Sequence, residues 1–100
     1  MTTILYYLPA TEYVGVTNRG ESRIEEHKTN GKDVTDYMII AEFEDNKEAL
    51  IIESLLHKMG YLGGNKFTDI RYKSATIEDF ERAFDISRRL KWNLRVKNKN

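Results

Sequence analysis

The chain has 100 residues, of which 16 are Lys or Arg and 16 are Asp or Glu, so its formal charge is zero. This balance argues against a protein that binds nucleic acid by bulk positive charge, although it leaves room for a local basic face. The absence of cysteine excludes disulfides, thiolate catalysis and Cys-based zinc sites. A chain of this length, with 40% hydrophobic residues, fits one globular domain with a single core.

The N-terminus does not have the pattern of a targeting segment. Its apolar run is short and no basic region precedes it, so it does not predict a signal peptide. No stretch approaches the roughly 18 to 20 apolar residues that a membrane span needs. We therefore expect a cytoplasmic protein without a membrane partner.

The first third of the chain predicts a β-hairpin followed by a helix. Residues 2–8 are β-branched, aromatic and apolar, which is typical of a strand. Residues 12–17 predict a second strand, and the short connection predicts an antiparallel pair. A helix is expected over residues 18–29, with Thr17 or Asn18 as its N-cap.

The middle of the chain predicts a strand and the clearest helix. Residues 35–44 give the strongest strand pattern, and we expect this strand to be central in its sheet. The helix covers residues 44–61, with Asp45 as N-cap and Glu48 three residues later in a capping-box pattern. Gly60 is expected just beyond its end.

The last third predicts a fourth strand over residues 66–74 and a final helix over 77–92, capped by Thr76. The order is β-β-α-β-α-β-α, which favours an α/β or α+β fold with a small mixed, mainly antiparallel sheet flanked by helices. We expect one domain over residues 1–95 and a polar tail over 96–100. The apolar stripe of the final helix is expected at Phe80, Ala83, Phe84, Ile86 and Leu90.

Three polar residues stand out on the helices. Arg23 and His27 are four residues apart, so both project from one helix face, and alone they favour a solvated face with ion pairs. Glu53 lies at the edge of an apolar stripe, where an unsatisfied carboxylate is costly. It is either a boundary residue whose acid reaches water or a metal ligand at the rim of a cleft.

Tyrosines and a glycine-rich loop give weaker signals. Alternation along the first strand puts Tyr6 and Tyr7 on opposite faces, which predicts one core residue and one half-exposed residue. Asn65 follows two glycines and, by itself, is typical of a turn.

In order and spacing, these residues resemble the GIY-YIG nuclease family, which is named for two tripeptides. The stretch ILYYL is similar to the first tripeptide, with Tyr6 in the place of its tyrosine, and the YVG of residues 13–15 is similar to the second. Arg23 follows Tyr13 by ten residues and His27 follows Arg23 by four, which resembles the family's helix.

The resemblance extends to a later helix. Glu53 stands where the family has its single catalytic glutamate, and Asn65 stands for the trailing asparagine. The likeness covers residues 4–65, whereas residues 66–95 would complete the fold. Ile4 and Leu5 replace the Gly-Ile of the first tripeptide, and the hairpin connection is short. Neither departure removes a catalytic atom.

The resemblance implies a small DNA endonuclease with one active site, in a prokaryotic or phage-encoded setting. Glu53 would hold one Mg²⁺, for which Mn²⁺ can substitute, and Arg23 would clamp the scissile phosphate. Tyr6 would act as general base or position the water. The implied catalytic set is Tyr6, Tyr13, Arg23, His27, Glu53 and Asn65, in which Tyr13 orients the water or Tyr6, His27 shares the proton relay and Asn65 braces the metal side.

DNA contacts are expected from Gly15, Arg19, Lys28 and Lys66. Gly15 would end its strand at the turn into the helix, where DNA approaches closely. One active site cuts one strand, so a homodimer assembled on DNA is expected to make double-strand breaks. The C-terminal helix of residues 76–92 and its basic tail would supply either the interface or phosphate contacts. The alternatives are a catalytically inactive nucleic-acid- or protein-binding module on the same scaffold, and an α+β interaction domain with a coincidental motif.

Overall fold

The structure, a computed structural model, describes residues 2–63 and 70–97, and of residues 92–97 it gives only the helical backbone. Three strands form one antiparallel sheet in the order β2-β1-β3, namely β1 (Thr3–Leu8), β2 (Tyr13–Thr17) and β3 (Met38–Phe43). The helices are α1 (Glu21–Thr29), α2 (Asn46–Lys58), a short 3₁₀ helix (Arg71–Ser74) and α3 (Ile77–Lys97). The predicted fold class, a small α+β fold that starts with a β-hairpin, is confirmed.

The centre of the sheet is β1, which pairs antiparallel with β2 on one side and with β3 on the other. Every residue of β1 is buried, whereas β3 is largely half-buried or exposed. The prediction that residues 35–44 form the central strand is therefore wrong. An apolar run indicates how much of a strand can be buried, but it does not determine where that strand lies in the sheet. The position depends on which other strands pair with it.

Both faces of the sheet are covered by helices. On one face, Tyr7 packs in the main core with residues of α2 and α3, among them Ile52 and Ile86. On the other face, Tyr6 packs against Ile24 of α1. Tyr6 and Tyr7 are 1% and 0% exposed. The expectation that one of the two is half-exposed is wrong because α1 covers the second face.

The ends of α2 follow the sequence signals. The Asp45 carboxylate accepts the backbone N–H of Lys47 at 2.9 Å, which confirms the N-cap. Gly60 has a positive φ of 111°, and its N–H donates to the His57 carbonyl at 3.1 Å. The next N–H, that of Tyr61, donates to the Leu56 carbonyl at 3.2 Å, and the pair of bonds forms a Schellman motif.

The start of α1 differs from the prediction. Its N-cap is Gly20, at a positive φ of 61°, and no side chain caps the helix. The Thr17 hydroxyl instead accepts the N–H of Arg19 at 3.0 Å. The predicted caps, Thr17 and Asn18, are therefore wrong, because the chain needs the extra residues up to Gly20 to turn from β2 into the helix.

The last third of the chain contains two further differences. Arg71–Ser74 form a 3₁₀ helix, so the predicted strand is wrong there, and residues 66–69 lie outside the described residues. In α3, capped by Thr76 as predicted, Phe80 and Phe84 are 41% and 54% exposed, whereas Ala83, Ile86 and Leu90 of the predicted stripe are buried.

The C-terminal helix is also longer than predicted. It continues to Lys97, so the first two residues of the predicted tail, 96 and 97, are helical. Across residues 2–63 and 70–97, no helix combines the length and the apolar character that a membrane crossing requires.

Candidate active site

A cavity of about 330 Å³ lies where the hairpin, α1, α2 and the 3₁₀ helix meet. Its size is at the lower end of the range found for ligand pockets. Four residues of the implied catalytic set come together in its wall, although they lie on four different elements. The lining residues are Tyr6, Tyr13, Gly15, Val16, Arg23, Leu50, Glu53 and Arg71.

Tyr6 and His27 form the buried side of this site. The Tyr6 hydroxyl lies 2.7 Å from Nε2 of His27, and the histidine is 3% exposed. The Tyr13 ring stacks on Tyr6 with centroids 6.3 Å apart and meets the imidazole edge-on at 5.1 Å. These contacts fix the orientation of all three rings, and His27 therefore points inward rather than into solvent.

Gly15 makes room for the Tyr6 ring. The two residues are opposite each other in the β1–β2 register. A Cβ atom at Gly15 would overlap Cζ and the hydroxyl oxygen of Tyr6 and would lie 2.9 Å from its Cε1. Because β2 continues to Thr17, the expectation that Gly15 ends the strand at a turn is wrong. The glycine is needed because the tyrosine ring crosses the backbone at this point.

Arg23 reaches the cavity from α1 and has partners on two sides. Its guanidinium pairs with Glu26 one turn further on, and Glu26 also pairs with Arg19 at 2.8 Å. The charge of Arg23 also acts on the Tyr6 hydroxyl and partly opposes the rise of its pKa. The ion pair expected for a solvated helix face is thus present, but the same arginine also lines the cavity.

The protonation of the Tyr6–His27 pair follows from burial. Burial raises the pKa of Tyr6 above its ordinary value of 10.0; the nearby phenol of Tyr13 adds to this, and Arg23 opposes it only in part. Burial, followed by the charges of Arg23 and Lys32, lowers the pKa of His27 below 6.5. At neutral pH, Tyr6 therefore carries its proton and His27 is neutral. In the tautomer with its proton on Nδ1, the imidazole accepts the Tyr6 hydroxyl at Nε2. Arg23 alone does not turn Tyr6 into a phenolate.

Lys32 belongs to this site, although the sequence analysis did not single it out. Its ammonium lies 3.7 Å from the centroid of the Tyr13 ring, a cation–π contact. Gly31, at a positive φ of 88°, reverses the chain after α1, and the Lys32 N–H donates to the His27 carbonyl at 3.0 Å. The Asn-Gly pair before Lys32 was the available signal, because it predicts a turn that folds the next residue back.

Glu53 is the residue that fits a metal ion. It is half-buried in α2 and lines the cavity beside Tyr6 and Arg23. Among residues 2–63 and 70–97, no group of three or more His, Asp or Glu side chains could hold a metal ion. A single carboxylate, with water and a phosphate oxygen completing the coordination, is a usual arrangement for Mg²⁺. Glu53 as the protein's ligand for one Mg²⁺ therefore stays a prediction with which this donor set is compatible.

The sequence matches no protein-family model. The comparisons with curated proteins and with solved structures also find no match. The resemblance to GIY-YIG nucleases therefore stays a prediction from the residues of the sequence.

The other predicted residues lie away from the cavity or outside the described part of the chain. Asn65 and Lys66 lie outside the described residues. Lys28 is exposed on α1, and Arg19 is exposed beside Glu26. Arg71 lines the cavity but was not predicted as a site residue, because its segment was predicted to be a strand.

Proposed function

We propose that the protein is a divalent-metal-dependent endonuclease that hydrolyses DNA phosphodiester bonds in the cavity between Tyr6 and Glu53. One observation carries the proposal. Tyr6, Tyr13, Arg23 and Glu53 come from β1, β2, α1 and α2, yet they line one cavity, and His27 binds the Tyr6 hydroxyl. The spacing that resembles a nuclease motif in the sequence thus corresponds to a single polar site.

Hydrolysis of a phosphodiester requires stabilisation of the charge that develops on the phosphate. The planar guanidinium of Arg23 presents donors that match phosphate oxygens in pairs. Glu53 would hold the divalent ion, which supplies Lewis-acid polarisation of the phosphate when bound. Arg23 would leave Glu26 for the phosphate at little cost, because ion pairs between partly exposed side chains are weak in water.

The attacking water must also lose a proton. Tyr6 has a raised pKa and is a poor base alone, but its hydroxyl is hydrogen-bonded to Nε2 of neutral His27, which accepts a proton there in the Nδ1–H tautomer. The water proton can pass to the Tyr6 oxygen while the Tyr6 proton passes to Nε2 of His27, so no free phenolate has to form. The imidazolium that results lies near Arg23 and Lys32, and the negative charge of the substrate offsets that repulsion.

The proposed partner is DNA, and two copies would be needed for a double-strand break. The cavity offers one set of catalytic groups, which can act on one strand at a time. Two antiparallel strands related by a two-fold axis match a two-fold pair of chains. A single copy should therefore nick DNA first and linearise it later.

A binding module without catalysis is the second candidate, and one feature of the site favours it. Tyr6 is buried and paired with His27, and Arg23 is already paired with Glu26. Two polar groups of the cavity thus have hydrogen-bonding partners without a substrate. Such a site could bind a phosphate by exchange of partners without activating a water molecule.

A plasmid assay separates these functions. Supercoiled plasmid is incubated with the wild type, Glu53→Ala and Glu48→Ala, in Mg²⁺, in Mn²⁺ and in EDTA, and nicked and linear products are followed over time. Glu48 is a matched control because it lies on the same helix but pairs with Arg82 at 3.1 Å, outside the cavity. We expect metal-dependent nicking by the wild type and by Glu48→Ala, and none by Glu53→Ala.

Two results would contradict the proposal. Cleavage by Glu53→Ala at the wild-type rate in Mg²⁺ would remove Glu53 as the metal ligand. A wild type that binds the plasmid but does not nick it in either metal would instead support the binding module.

A further inference from the structure

The cavity contains a second arginine, Arg71, which is not a member of the predicted catalytic set and has no role assigned in the proposed reaction. Arg71 lines the same wall as Arg23 and Glu53. Two guanidinium groups and one carboxylate give the lining side chains a formal charge of +2 − 1 = +1. A cavity with this excess attracts an anion even before a metal ion adds its own charge.

The fold holds the backbone of Arg71 next to Glu53. The N–H of Tyr72 donates to the Ser54 hydroxyl at 2.9 Å, and Ser54 is 1% exposed. The ammonium of Lys58 lies 4.6 Å from the centroid of the Tyr72 ring. The residue after Arg71 is thus bound to the residue after Glu53, and α2 fixes the 3₁₀ helix at the cavity.

The two arginines have different surroundings. Arg23 lines the cavity together with Tyr6, the group that lies beside the attacking water in the proposed reaction, and the two groups interact electrostatically. Arg71 enters from the 3₁₀ helix, which the hydrogen bond from the Tyr72 N–H to Ser54 holds on the α2 side of the site. In a polynucleotide the scissile phosphate has charged neighbours along the strand, which a simple diester lacks.

We propose that Arg71 binds a phosphate adjacent to the reacting one, so that the site takes a polynucleotide in preference to an isolated diester. This inference rests on the proposed function, because it takes the cavity to be the phosphodiester site. Arginine suits this task because its planar fork can bind two phosphate oxygens at once. Arg71 is then a substrate-binding residue, and Arg23 acts on the reacting group.

The first test measures binding without catalysis. A fluorescent oligonucleotide is titrated in EDTA at several salt concentrations with the wild type, Arg71→Gln, Arg71→Lys and Lys73→Gln. Lys73 is the control because it is an exposed cation in the same 3₁₀ helix but does not line the cavity. We expect Arg71→Gln to lower the slope of log K against log salt by about 0.7 to 0.9, the value of one phosphate contact. Arg71→Lys should keep the slope, since it keeps the charge.

The second test measures turnover in Mg²⁺ on the oligonucleotide and on bis(p-nitrophenyl) phosphate, which has a single phosphate. Arg71→Gln should raise KM for the oligonucleotide about tenfold or more, as expected for the loss of a charge-assisted hydrogen bond. It should leave kcat, and hydrolysis of the small diester, within about twofold of the wild type, because the reacting phosphate keeps Arg23.

Each outcome decides the inference. Equal losses of activity on both substrates would place Arg71 on the reacting phosphate and would contradict the inference. A binding change that Lys73→Gln reproduces would also contradict it, as would an unchanged salt dependence in Arg71→Gln. If the wild type cuts neither substrate in Mg²⁺ or Mn²⁺, the proposed function fails. The binding test then still decides whether Arg71 holds a phosphate of the strand.

Discussion

Replacing Gly15 with alanine should disrupt the site without touching a polar group. The new methyl carbon would overlap two atoms of the Tyr6 ring and hydroxyl and would lie 2.9 Å from a third. Carbon atoms in contact are ordinarily about 3.5 to 4.0 Å apart, so the ring has to move by roughly 1 Å. Tyr6 is 1% exposed, and its ring is held by Tyr13 and His27, so a shift of this size breaks those contacts.

The magnitude follows from overpacking in a close-packed core. Such insertions cost about 1 to 3 kcal/mol of the free energy of unfolding. In a domain of this size, each kcal/mol lowers Tm by about 4 to 8 °C. A displaced ring also loses the 2.7 Å contact between the Tyr6 hydroxyl and His27. We therefore expect Gly15→Ala to lose DNA cleavage under conditions in which it is still folded.

The assay is a double-mutant cycle. Urea unfolding is measured for the wild type, Gly15→Ala, Tyr6→Leu and the double variant, because leucine at position 6 removes the atoms that the new methyl group meets. The alanine should cost clearly less in the Tyr6→Leu background. An equal cost in both backgrounds, or a Gly15→Ala protein with wild-type stability and cleavage, would refute the idea that Gly15 exists to admit the Tyr6 ring.

Two further predictions concern the polar groups. Arg23→Ala should lower the single-turnover rate of DNA cleavage by about 10²-fold or more, by analogy with the loss of one oxyanion donor, with the fold intact by circular dichroism. Normal turnover with weaker DNA binding alone would assign Arg23 to positioning. His27 has a lowered pKa in the folded state, so the unfolded chain binds more protons as the pH falls below the ordinary value of 6.5, and stability decreases. Between about pH 6.5 and pH 5, the urea concentration at the unfolding midpoint should therefore fall less in His27→Gln than in the wild type. An equal fall in the two proteins would show that another group is responsible.

Local signals in the sequence were sufficient for much of the fold. The hairpin, the class of the fold and the caps of α2 follow from alternation, turn residues and helix-end chemistry, which act between neighbours in the chain. The order and spacing of Tyr6, Tyr13, Arg23 and Glu53 likewise indicated which residues to examine. The resemblance implied that these four residues lie in one site. Their sequence positions do not show this, because the residues come from four elements that meet only in the folded chain.

Tertiary packing decided the remainder. Helix α1 covers the second face of the sheet, which buries Tyr6 and His27 and shifts both pKa values, and no local pattern predicts that coverage. Lys32 and Arg71 join the site because a turn and a hydrogen bond to Ser54 bring distant segments to it. A sequence specifies which groups are available, but their burial and electrostatic surroundings depend on segments far apart in the chain, and these meet only when the fold is complete.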